Sequence, residues 1–164
     1  MNPKPLKRHQ AIVSFSKDHH FGLLLSWKIR NGLKHGVEEK RISDYVLYIF
    51  KADLEVHFND EEKFLFSLLP AGDKMIAHAI DDHHHLNTLA TAIEQSTHDA
   101  ALLNRFADEL EEHIRYEERI LFNYLQENIP AAKLEKIANR FPNNSREIDE
   151  QWKDYFWEKK SNEN

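Results

Sequence analysis

Glu55-Val56-His57-Phe58-Asn59-Asp60-Glu61-Glu62-Lys63-Phe64-Leu65-Phe66 returns later in the chain as Glu111-Glu112-His113-Ile114-Arg115-Tyr116-Glu117-Glu118-Arg119-Ile120-Leu121-Phe122. Each copy sets a His four residues before a Glu, and a second Glu, a basic residue and Leu-Phe follow. Positions i and i+4 share one face of a helix, one turn apart. One helix of this kind offers an imidazole and a carboxylate to a single cation, and two facing helices offer ligands for two.

The repeat extends well beyond this core. At a shift of 56 residues, Leu47, Phe50, Leu54, Glu55, His57, Glu61, Glu62, Leu65, Phe66 and Leu69 meet identical residues at Leu103, Phe106, Leu110, Glu111, His113, Glu117, Glu118, Leu121, Phe122 and Leu125. The apolar members recur at three- and four-residue steps, which excludes alternating strands. Four long helices are expected: from Ser14 to Lys34, ending at Gly32 and Gly36; from Ser43, read as an N-cap, to Leu69; from Asp73 as a cap to Gln95; and from Thr97 or Asp99 to Asn128. A shorter helix opens at Pro130 and stops before Pro142. A last one is expected from Ser145, with Ile148, Trp152, Phe156 and Trp157 on its apolar side. Short connections make neighbours antiparallel. The fold class is all-α: an up-down-up-down four-helix bundle over about 14–128 with internal pseudo-twofold symmetry. One or two short C-terminal helices over about 130–158 complete a single domain spanning 1–164.

Composition narrows the function. A formal charge of −6 with no sustained basic stripe argues against nucleic acid as a partner. The chain has no cysteine, which removes disulfides, thiolate sites, zinc ribbons and iron–sulfur clusters. Met1-Asn2-Pro3-Lys4-Pro5 lacks the apolar run of a secretory signal. No segment reaches the ~20 apolar residues that span a bilayer. The expectation is a cytoplasmic protein with no membrane partner. Eleven histidines is a high count, and most fall at helical positions. His9, His35 and His98 are expected on the surface.

The first and third helices carry histidine turns of their own, Asp18-His19-His20 and Asp82-His83-His84-His85. On the first, Leu23, Leu24 and Trp27 suggest an inner stripe, which favours His20 over His19. On the third, periodicity does not separate His83 from His84 or His85. A single His-x3-Glu pair is usually a hydrogen-bonded surface pair. Two copies in apolar sequence, joined by further histidine turns, favour a metal site. Imidazole with carboxylate suits iron, manganese or zinc. Glu61 and Glu117, with two oxygens each, can bridge two ions and offset their charge. Glu62 and Glu118 lie about 100° further round the helix, where salt bridging or solvent is the expected role. Asp53 and Glu109 each precede a repeat His by four and are candidates to accept its second N–H.

These segments resemble the hemerythrin-like proteins of the His-His-Glu cation-binding type, over roughly Ser14 to Gln126. The resemblance implies metal ligands at His20, His57, Glu61, His83, His113 and Glu117; the acid before the third-helix His, here Asp82, selects His83. It implies two non-haem iron ions bridged by oxide or hydroxide, and a small diatomic ligand such as O2 or NO. Oxygen carriers of this type place their bridging acid five residues after the last His, where Glu118 stands; the second-helix copy favours Glu117 instead. They also have a further His four residues before the third-helix ligand, and here that residue is Ala79. This departure argues against reversible oxygen carriage and for sensing, storage or metal handling. Phe21, Phe58, Phe64, Phe122 and Tyr116 are candidates to line the ligand pocket. One alternative is a di-iron enzyme acting on peroxide, nitric oxide or ferrous iron, with Tyr116 or Tyr124 as a donor. Another is a helical interaction module holding zinc or no metal.

Overall fold

The computed structural model describes residues 7–141 and 151–158. Five helices order the described residues. α1 is Gln10–Lys34. α2 covers residues 39–68 as an unbroken run of helical turns, α3 is Lys74–Gln95, α4 covers residues 100–128, and α5 is Ala131–Arg140. No strand occurs among the described residues. The first four helices form the antiparallel bundle. α1 packs chiefly on α4, α4 on α3, and α2 lies against α1, α3 and α4. No described helix is long and apolar enough to cross a membrane.

The caps show why the helices start where they do. Asp73 caps α3, its carboxylate accepting from the backbone N–H of Met75 and Ile76, and Asp99 caps α4 by accepting from Leu102. Two expected starts move. α1 begins four residues before Ser14, because His9 is its cap and takes the Ala11 N–H on Nδ1 at 3.1 Å. His9 is therefore half-buried and structural rather than a free surface residue, whereas His35 and His98 are exposed. α2 begins at Glu39, so Ser43 lies inside it and donates to the Thr97 carbonyl at 2.9 Å, tying α2 to the α3–α4 connection. Gly36 ends α1 at a φ of 71°, a region open to glycine at no steric cost.

Apolar packing divides into two halves. At one end, Leu25, Ile29, Tyr45, Phe50, Leu86, Leu103, Phe106 and Leu110 form the core. At the other, Ile12, Phe15, Leu65, Phe66, Leu121, Phe122 and Leu125 do so. α5 closes the second half with Leu134 and Ile137. The first is closed by Trp152, Phe156 and Trp157. Residues 151–158 turn back on the bundle without forming a regular helix, and the rest of the helix expected from Ser145, including Ile148, lies outside the described residues.

Two departures from regular α-helix recur at the same place in the repeat. In Glu61–Leu65 and in Glu117–Leu121 the backbone takes a π-turn, with the Phe66 and Phe122 N–H groups bonding five residues back to the Glu61 and Glu117 carbonyls. A third π-turn, Phe50–Leu54, is present in α2, while the matching residues of α4 lie within the regular helix Ala100–Tyr116. Such turns often mark functional positions. The core packs tightly around this frame: Phe106 is fully buried and meets Phe50 edge-on, with ring centroids 6.2 Å apart. Phe106→Ala is expected to cost ~3–5 kcal/mol in urea unfolding of the metal-free protein; a loss below about 1 kcal/mol would show that Phe106 is not packed in this core.

Candidate metal centre

Between the two apolar halves lies one polar layer. His19, His57, His83 and His113 are all 5% exposed or less, and Glu61 and Glu117 are fully buried. The structure therefore gathers His57, Glu61, His83, His113 and Glu117 in one layer. His20 is not among them. It points to solvent, and its neighbour His19 takes the inner place.

The reason lies in the stripe chosen on α1. Leu23 and Trp27 are 40% and 51% exposed and sit on an outer groove beside Arg30 and Arg115. The true inner line is Ile12, Phe15, His19, Gly22, Ser26 and Ile29. The signal was the small residues. A Cβ on Gly22 would stand 2.6 Å from Cδ1 of Ile114 on α4, and the Ser26 hydroxyl donates to the Ala107 carbonyl at 3.0 Å. Close approach of α1 and α4 requires small side chains here, and these align with His19.

Two four-donor sets result, and they share both carboxylates. One comprises His19, His57, Glu61 and Glu117, the other His83, His113, Glu61 and Glu117, with the donor atoms of each set within 4.8 Å of one another. His19 Nε2 lies 2.8 Å from Glu117 Oε2, and His113 Nε2 lies 3.0 Å from Glu117 Oε1. His57 Nε2 is in contact with Glu61, and His83 Nε2 is 3.4 Å from Glu61 Oε2. Yet all four Nε2 atoms and all four glutamate oxygens are buried without a hydrogen-bond partner. Eight inward-facing polar atoms left this way would be costly in a closed core. Metal bound between them would remove that cost.

Each imidazole is aimed by an acid from a neighbouring helix. His57 Nδ1 is 3.0 Å from Asp18, and His113 Nδ1 is 3.0 Å from Asp82. His19 Nδ1 is 2.6 Å from Glu118, and His83 Nδ1 is 3.3 Å from Glu62. A carboxylate only accepts, so Nδ1 carries the hydrogen and Nε2 turns its lone pair inward. This replaces Asp53 and Glu109 as the orienting acids, and it gives Glu62 and Glu118 a definite task in place of solvent exposure. The i−4 acid on the same helix is not the one that reaches; the acids come across the interface. Arg8 and Ser16 in turn hold Glu118. Aromatic plates close the layer. Phe122 stacks on His19 at 5.2 Å, and Phe58 on His83 at 4.1 Å. Of the other aromatics considered for a pocket, Tyr116 donates to the Met75 carbonyl at 2.8 Å and Tyr124 bonds Asp73, so neither hydroxyl is turned to the cluster.

The charges are strongly interdependent. Burial alone would favour neutral imidazole, but Glu61 and Asp18 outweigh it at His57 and raise the ring to about 10. At His83, burial is outweighed by Glu117, Glu61 and Glu62, which raise it to about 11. His19 and His113 are raised against burial by Glu117, with Glu118 and Asp82 respectively adding to it. Burial and Glu117 would push Glu61 up, yet His57 and His19 hold it down to about 2. Glu117 lies well below its ordinary value, because His113, His19 and His83 overcome burial. Without metal, protons on the imidazoles supply the positive charge that the carboxylates require.

The chain is thus an antiparallel helical bundle with an interior His–Glu cluster of the kind that binds cations. The sequence model of the hemerythrin HHE cation-binding domain matches residues 18–125, and the protein belongs to that family. No curated protein and no solved structure gives a significant match.

A pH dependence follows for the metal-free protein. An imidazole raised above its ordinary 6.5 contributes stability that is complete below pH 6.5 and is lost as pH climbs through about 10 for His57 and about 11 for His83. A carboxylate held down contributes stability above 4.5 that is lost as pH falls through about 2 for Glu61. The melting temperature of the apoprotein should therefore fall steadily from pH 6.5 to pH 10. That of the metal-saturated protein should change much less, since cations replace the protons. Parallel profiles for the two forms would contradict this account.

Proposed function

We propose that this protein holds two non-haem iron ions in the shared cage and presents them to a diatomic or similarly small ligand, for sensing, storage or metal handling. The observation that carries this reading is the pair of four-donor sets joined by Glu61 and Glu117. Each set offers two nitrogens and two shared carboxylates, which leaves further positions of a six-coordinate ion to non-protein ligands. The imidazoles divide evenly, two to each set. Ala79 is fully buried among apolar neighbours. Iron, manganese and zinc all accept this donor chemistry, and iron supplies a redox-active Lewis acid when bound.

The protein's own residues do the rest. Asp18, Asp82, Glu62 and Glu118 fix the tautomers. Phe58, Phe66 and Phe122 screen the rings from water. A void with about 10 Å³ of room for the centre of a water-sized molecule opens against His19, His57 and His113, walled by Gly22, Phe58, Leu110 and Ile114. That is space for a single small molecule. Phe58 is thus the one expected aromatic that lines it; Phe21, Phe64, Phe122 and Tyr116 stand elsewhere. The same void supports a second reading, an enzyme acting on peroxide, nitric oxide or ferrous iron, because a small pocket beside a redox metal suits turnover as well as binding.

Metal analysis after anaerobic iron loading tests the centre. Two irons per chain are expected, lost in His57→Ala, His113→Ala and His19→Ala and retained in His20→Ala. Asp18→Asn and Asp82→Asn should keep the fold and weaken iron binding by ~10–100-fold. A folded protein that takes up no iron, or a His20→Ala variant that loses it, would refute the assignment.

A further inference from the structure

The ligand void is not lined by apolar groups alone. Besides the imidazoles and Asp18, it meets Asp53, a carboxylate 98% buried, its residue being 2% exposed. Asp53 lies in the Phe50–Leu54 π-turn, the one that α4 does not repeat. Its counterpart in α4, Glu109, is partly exposed and paired with Arg105 at 2.9 Å. The departure from pseudo-symmetry thus brings one acid inward on one side of the cage.

A second void of about 10 Å³ adjoins the same residue. Its walls are Phe21, Leu24, Leu25, Lys28, Tyr45, Ile49 and Asp53. Lys28 is 3% exposed, and its ammonium donates to the Tyr45 hydroxyl at 2.8 Å. Its Nζ also sits 3.7 Å from the Trp157 ring centroid. A neutral phenol and an indole face do not balance a buried ammonium, which requires an anion nearby. Asp53 is the only acid among the residues lining this second void, and Lys28 the only base.

We infer that Lys28 and Asp53 form an internal ion pair whose negative end lies toward the ligand void, so that the void admits small neutral molecules in preference to small anions. This rests on the di-metal reading and narrows its ligand class. The Asp53 carboxylate, in the wall of the void, repels azide or nitrite. Lys28 tempers that repulsion from the far side, beyond the reach of the ligand.

Azide binding to the iron-loaded protein, followed by its visible charge-transfer absorption, tests the inference. Asp53→Asn, nearly the same size, should tighten azide by about tenfold or more at unchanged iron stoichiometry. Lys28→Met should weaken it, because Asp53 is then left uncompensated. The Lys28→Met/Asp53→Asn double variant should return to tight binding, and it serves if either single variant fails to fold. A merely structural role would move all three variants in one direction. Azide affinities within twofold of the wild type, with iron fully loaded, overturn the inference and leave the metal centre standing. A wild-type chain that loads no iron overturns both.

Discussion

Two fully buried glutamates set the terms for everything around them. Neither Glu61 nor Glu117 has any exposed surface, and neither has a hydrogen-bond donor for its inner oxygens. A carboxylate in such a place is stable only where positive charge is brought to it. The fold brings four imidazoles from four helices, and these can carry protons or, with their lone pairs turned inward, hold metal. The apolar halves above and below keep water from doing the same work. Packing fixes the geometry, and charge balance decides what occupies it.

The imidazoles do not aim themselves. α1 gives Asp18 to His57 on α2 and receives Glu118 from α4 for its own His19. α3 gives Asp82 to His113 on α4 and receives Glu62 from α2 for His83. The exchange closes into a ring in which each helix orients its neighbour's ligand. This explains the compact dipeptides of the sequence. In Asp18-His19 and Asp82-His83, and in Glu61-Glu62 and Glu117-Glu118, one residue faces the cage and the next reaches across to steady another helix. The π-turns that begin at Glu61 and Glu117 widen the helix where both members of a pair have to face the interior.

Much of this was legible in the sequence, and the failures have physical causes. The 56-residue repeat carried the bundle, its pseudo-symmetry and the two His-x3-Glu pairs, because identical spacing on two helices constrains both. Leu23 and Trp27 look like core in the sequence and so favour His20 over His19. They line an outer groove instead, and hydrophobicity alone does not distinguish an inner stripe from an exposed one. Gly22 and Ser26 held the better signal, since close helix contact selects for small residues. The orienting acids were misplaced for a different reason. A same-helix acid at i−4 is near in sequence, but Nδ1 of an inward-pointing ring faces the neighbouring helix, and which helix that is depends on the assembled bundle. The π-turns leave no mark on a periodicity of three and four.

The two halves of the cage are alike in donors and unlike in surroundings, and the difference traces to one turn of α2. Duplication of a helix pattern naturally gives two equivalent cation positions with equivalent neighbours. Here Asp53 is buried where Glu109 is paired at the surface, and the void lies on the side of His19 and His57. Lys28 and Tyr45 behind it belong to α1 and α2, and Trp157 closes the far wall from the C-terminal segment. That segment therefore does more than cover apolar surface. It also packs an indole ring over the buried Lys28 ammonium, so residues well outside the repeat help shape the surroundings of the cage.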